Sequence, residues 1–133
     1  MDDQAPSKGL IVSVPWEIQT DPKAKPLNTS LAQVVGKSVV YASTLSGDES
    51  VYTHVALTKK PASMNVIEIN DTRLGAGVRY RNDYPLDGVG NVLNLWSIRS
   101  VVAVEPFLTL KVAAGETKSW TTTYEYYALS EEQ

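Results

Sequence analysis

The chain has 133 residues, of which 43% are hydrophobic and 20% charged, and a formal net charge of −3. That is enough for one domain with a buried core, and too apolar and too weakly charged for a wholly disordered chain. No apolar run approaches the ~20 residues of a membrane-spanning helix, and an acidic chain with scattered Lys and Arg is a poor general phosphate neutraliser, so neither membrane insertion nor nucleic-acid binding is expected.

Cysteine is absent, which excludes disulfides, thiolate metal sites and thiol nucleophiles. Met1 to Lys8 is polar and contains Pro6, so residues 1–8 are expected to form a loose arm. No apolar stretch follows a basic region in MDDQAPSKGL, and the expectation is a cytoplasmic rather than a secreted chain. One domain is expected over residues 9–129, with a polar tail at 130–133.

Gly9 to Val14 reads GLIVSV, a short strand edged by Pro15. Thr20 to Pro26 is a polar connector. The stretch NTSLAQVVGKSVVYAS admits two forms. Asn28, Thr29 or Ser30 caps a short helical turn that Gly36 ends, or two extended pieces flank Gly36. Val34, Val35, Val39 and Val40 oppose a long helix, because branching at Cβ favours extended backbone. SGDES (Ser46–Ser50) is a turn, Val51–Leu57 a strand, and Lys59–Ser63 its close. Asn65–Ile69 is a strand and NDTRLG the turn after it. Gly77–Arg81 alternates, with Val78 and Tyr80 on one face and Arg79 and Arg81 on the other. Asn82–Asn91 is the longest loop signal. Val92–Ile98 and Val101–Val104 return to strand character, and Glu105-Pro106 stops the second.

In the C-terminal third, Leu108, Leu110 and Val112 alternate with polar residues, Ala114-Gly115-Glu116 turns the chain, and KSWTTTYEYYA follows from Lys118 to Ala128. These two runs are expected to pair as a hairpin. Trp120, Thr122, Tyr124, Tyr126 and Ala128 share one face, expected to pack, while Tyr127 on the other is left for a partner. Roughly seven to nine short strands without a long helical pattern give an all-β fold: a single antiparallel β-sandwich, with room for one short helical turn.

His54 is the only histidine, able to serve as a general base near neutral pH. Glu105, next to an apolar strand, is the acid to examine first. Arg79 and Arg81, with Tyr84 in the following loop, form a polar–aromatic patch suited to an anion or sugar. Seven tyrosines against one phenylalanine fit contact surfaces with a polar handle, Tyr127 among them. Asn70-Asp71-Thr72 and the Asp83/Asp87 region lack the full calcium-loop pattern. No phosphate-loop, dinucleotide, zinc-protease or nucleophile-elbow motif occurs. No metal or cofactor is expected.

The segment VAVEPFLTLKVAAGETKSWTTTYEYY, over about Val101 to Tyr127, resembles the last strands of galactose-mutarotase-like, carbohydrate-active sandwiches. There a strand ending in Glu precedes a PGE-like turn and a T-x-Y-rich strand. Ala114 stands here where the pattern has proline. The resemblance implies a sandwich associated with sugars, with Glu105 in the place of the general base. Three functions are therefore expected in order. The first is a non-enzymatic binding or assembly module with a carbohydrate or protein partner, or forming a homodimer. Next comes a carbohydrate-active enzyme that gathers Glu105, His54 and one of Arg79 or Arg81 in one pocket. The third is a capsid-like structural protein.

Overall fold

The computed structural model describes residues 5–20, 26–56, 66–82, 89–108 and 110–130, with the backbone alone described at 20, 54–56, 89–93, 107 and 108. The described residues form ten strands, β1 Leu10–Ser13, β2 Gln19–Thr20, β3 Ala32–Val35, β4 Ser38–Tyr41, β5 Val51–Ala56, β6 Val66–Asp71, β7 Ala76–Asn82, β8 Val89–Ile98, β9 Val101–Leu108 and β10 Thr122–Ala128. This exceeds the expected seven to nine because β2 is a two-residue strand and the stretch around Gly36 forms two strands. The fold is all-β with two antiparallel sheets. The large sheet has six strands in the order β10-β7-β6-β1-β4-β3, and the small sheet has four in the order β2-β5-β8-β9. No helix among the described residues is long and apolar enough to cross a membrane.

Of the two forms open to residues 28–43, the extended one is adopted. Asn28 makes only a turn, accepting from the Leu31 and Ala32 N–H groups at its carbonyl and from Ser30 at its side chain. Two residues, Gly36 and Lys37, then join β3 to β4, with Val35 opposite Ser38. Gly36 has φ +60°, a backbone shape that suits tight hairpins and disfavours residues with a Cβ.

The core draws on both sheets. Leu10 and Val12 of β1, Ala32 of β3, Val39 and Tyr41 of β4 and Ile67 of β6 cluster with Val51 of β5 and Leu95 of β8. Burying each large aliphatic side chain contributes about 2–3 kcal/mol. Strand alternation therefore decides which face turns inward. Ala5, Pro6 and Ser7, expected in a loose arm, are buried. Arg73 donates to the Ala5 carbonyl, Leu45 N–H to that of Pro6, and the hydroxyls of Ser7 and Thr44 bond.

Among the described residues, Leu108–Val112 and Lys118–Ala128 show no strand pairing of the expected hairpin. The turn between them exists, closed by Glu116 N–H on the Ala113 carbonyl. Its arms part, however: β9 stays beside β8 in the small sheet, and β10 begins at Thr122 and pairs with β7 in the large one. β7 offers β10 two matches, Arg79 opposite Glu125 and Gly77 opposite Tyr127.

Candidate functional site

One inward row of the large sheet explains why β10 differs from its neighbours. It runs Val34, Val39, Val12, Ile69, Val78, Tyr126 across six strands. Val39 and Val12 are buried, Ile69 and Val78 half-buried, and Tyr126 is 80% exposed. Tyr124, 57% exposed, lies in the adjacent row, with its ring edge-on to Tyr80 at 5.4 Å. The aromatic row thus shares the face of the core, as alternation predicts, but β10 lies beyond the cover of the small sheet. Trp120, Tyr124 and Tyr126, expected to pack, are exposed. Between Tyr126, Val78, Ile69, Leu10 and Val102 opens an apolar groove of about 310 Å³.

The opposite, outer face of the same strands carries a charged network. Arg79 donates to Glu125 of β10 at 2.6 Å and to Glu68 of β6 at 3.2 Å. Its guanidinium lies over the Tyr127 ring, 5.0 Å from the centroid, within reach of cation–π attraction. The Tyr127 hydroxyl donates to the Asn70 side-chain oxygen at 2.5 Å, with a Glu68 oxygen 3.2 Å away as a second acceptor. Partial burial first, and then the negative charge of Glu68, hold the Tyr127 phenol above its ordinary pKa. The bond to Glu125 leads in raising Arg79 above its own, with Glu68 adding to it. Tyr127 is therefore not left for a partner, because its ring and hydroxyl are already used within the sheet. Arg79 is likewise committed. Arg81 shares its face, is exposed, and meets no carboxylate among the described residues.

The other expected site residues lie in the small sheet. His54 of β5 is opposite Asn94 of β8, which is opposite Glu105 of β9. Glu105 is exposed, whereas the Asn94 side-chain oxygen is buried and accepts no bond among the described residues. The next row of that face pairs Tyr52 with Trp96, both exposed. The structure brings His54 and Glu105 into one row but keeps Arg79 and Arg81 away from them, on the outer face of the other sheet. The single pocket required of the enzyme is therefore not assembled from these residues. Tyr84 lies outside the described residues, as do Asp83 and Asp87. No group of three or more His, Asp or Glu among the described residues is placed to hold a metal ion.

Sequence reasoning missed Glu68, Asn70 and Glu125 as partners of Arg79 and Tyr127, and Tyr52 and Asn94 beside His54. Their only signal is complementary chemistry at matching register positions, which is invisible until the strand pairing is known.

The backbone of β10 completes the geometry. Leu129 donates its N–H to the Gly75 carbonyl, and bonded positions alternate along an antiparallel ladder. Thr123, Glu125 and Tyr127 therefore turn their polar backbone toward β7, while Thr122, Tyr124, Tyr126 and Ala128 turn theirs outward. Comparison with protein-family models, with curated proteins and with solved structures finds no match to this chain.

Proposed function

We propose that the chain is a non-enzymatic β-sandwich module that works by self-assembly through the edge of β10. The sandwich is supported by the core shared between the two sheets and by the Tyr41–Ser97 hydroxyl bond that links them. A single observation carries the assembly: among the described residues β10 is a regular seven-residue strand at the rim of its sheet, with no bulge, lysine or proline to keep an added strand away. Lysine, proline and bulges blunt natural edges, and β10 has no lysine, no proline and an unbroken register with β7. Its one charge, Glu125, is paired with Arg79. The other three edges are blunted. β3 has four residues and β2 two, and β9 carries Glu105 and Pro106 and a register shift against β8. Exposed tyrosines beside the free edge add apolar area that a partner strand would cover.

Sedimentation velocity on the intact protein is expected to give a dimer at micromolar concentration. Tyr126→Pro removes an outward N–H without touching the β7 ladder, so it should give a monomer with an unchanged β-sheet circular dichroism spectrum. A wild-type chain that stays monomeric at high micromolar concentration rules the proposal out.

A second reading, sugar contact, is favoured by one feature of the small sheet. Exposed Tyr52 and Trp96 lie on the same face as exposed Glu105, so apolar rings adjoin a hydrogen-bonding group as a sugar's own faces do. Trp96→Ala should abolish chemical-shift changes that neutral oligosaccharides induce along β8. Absence of such changes in the wild type removes this reading.

A further inference from the structure

We infer that the strand added to β10 is the β10 of a second copy, antiparallel, with the two-fold axis passing through Tyr124. This inference rests on the assembly proposed above and names its partner and register.

Charge selects among the symmetric registers. An axis at Glu125 sets the two Glu125 carboxylates directly opposite each other, and like charges in that position destabilise a sheet. An axis at Tyr126 sets Glu125 against Tyr127 of the second copy and brings no carboxylate to Arg81. An axis at Tyr124 sets Glu125 opposite the second copy's Thr123. Arg81 is the β7 neighbour of Thr123, so each Arg81 then stands two strand spacings, about 10 Å, from the other copy's Glu125. The short threonine between them leaves the long side chains room to meet. The outer face becomes an alternating row of Glu68, Arg79 and Glu125, then Thr123 and Arg81 of the second copy. The arginine that lacks a carboxylate among the described residues gains one.

On the other face the same register sets the short Thr122 of the second copy opposite Tyr126, which lines the apolar groove. Tyr124 meets Tyr124 at the axis, a cross-strand aromatic pair.

Because the chain has no cysteine, a single introduced thiol reports the register without background. At the axis two copies of residue 124 form a hydrogen-bonded pair with Cα atoms about 5.5 Å apart, inside the disulfide range of about 4.4–6.8 Å. Two copies of residue 126 stand four residues apart along the strands, about 13 Å, and cannot bridge. Under mild oxidation Tyr124→Cys is expected to form a covalent dimer at least about tenfold faster than Tyr126→Cys. Separately, Arg81→Glu in the otherwise native chain should weaken the dimer about tenfold by sedimentation. If the wild type is monomeric, the assembly proposal itself falls. If it dimerises but Tyr126→Cys cross-links faster, or neither variant does, or Arg81→Glu dimerises as well as the wild type, assembly stands and this register is overturned.

Discussion

Gly77 sits directly opposite Tyr127, and the tyrosine ring occupies the space a side chain would need. A Cβ placed on Gly77 would lie 2.8 and 2.9 Å from two ring carbons of Tyr127 and would also collide with the Asn70 side-chain oxygen. The backbone of Gly77 has no positive φ, so Ala would otherwise gain about 0.5–1 kcal/mol by removing unfolded-state freedom. Overpacking of this kind costs about 1–3 kcal/mol, and the collision involves a ring tethered by its hydroxyl to Asn70 and Glu68, so the steric effect wins. Gly77→Ala is expected to lower the unfolding free energy by about 1–2 kcal/mol in urea titrations. In a Tyr127→Ala background the same change should cost less than half as much, since the ring is gone and the Asn70 side chain, released from the tyrosine hydroxyl, can turn aside. Equal costs in both backgrounds would show that the ring is not what fills the site. Alternation alone places Tyr127 correctly on the face away from the aromatic row. What it cannot supply is the neighbour: whether an outward tyrosine is bare or engaged depends on the residue one strand away, here a glycine with an arginine beside it.

At the scale of elements, local chemistry is legible wherever the partner strand is close in sequence. Gly36 marks the β3–β4 junction, and the Val-rich flanks read as extended on both sides of it. Asp71 shapes the β6–β7 turn as its position in NDTRLG suggests, accepting from the N–H groups of Arg73 and Leu74. The face assignment of β7, with Val78 and Tyr80 inward and Arg79 outward, needs only the period of two. The sequence of β10 identifies a strand correctly but points to the wrong neighbour. A turn at Ala113–Glu116 invites a hairpin, and nothing local reveals that the Arg79–Glu125 and Gly77–Tyr127 matches on β7 are better. The same misassignment hides the candidate edge. A strand paired within a hairpin and a strand at the rim of a wider sheet have the same alternation, and only the second leaves its core-face tyrosines in water. The row His54–Asn94–Glu105 is half legible, since both ends stand out in the sequence but the central asparagine emerges only from the pairing of β5, β8 and β9.

The two sheets are joined by a buried polar contact between β4 and β8, and it gives the molecule a characteristic response to alkali. Tyr41 of the large sheet and Ser97 of the small one are 1% and 0% exposed, with their hydroxyl oxygens 2.5 Å apart. Burial pushes the Tyr41 phenol up to about 12, against a smaller opposing effect of the bond to Ser97. In the unfolded chain tyrosine loses its proton near pH 10. Between pH ~10 and ~12 the folded protein therefore holds a proton that the unfolded chain has released, and stability falls as pH rises. Below pH ~10 both states are protonated and the contribution is fully present. The difference between the folded and unfolded pKa corresponds to about 3 kcal/mol, a substantial part of the ~5–15 kcal/mol that holds a typical domain together. Tyr41→Phe keeps the ring in the core but gives up the hydroxyl bond and leaves Ser97 without that partner. It should be less stable than the wild type by about 1–2 kcal/mol at pH 8. From pH 10 to 12 it should lose about 2 kcal/mol less than the wild type does. The other tyrosines are common to both proteins, so their titration cancels in the comparison. Urea unfolding at stepped pH values measures both quantities, and parallel alkaline losses in the two proteins would remove Tyr41 as the cause. Because the titrating group lies between the sheets rather than within one, its ionisation sets them against each other, and the loss should appear as one cooperative transition rather than as fraying of β10.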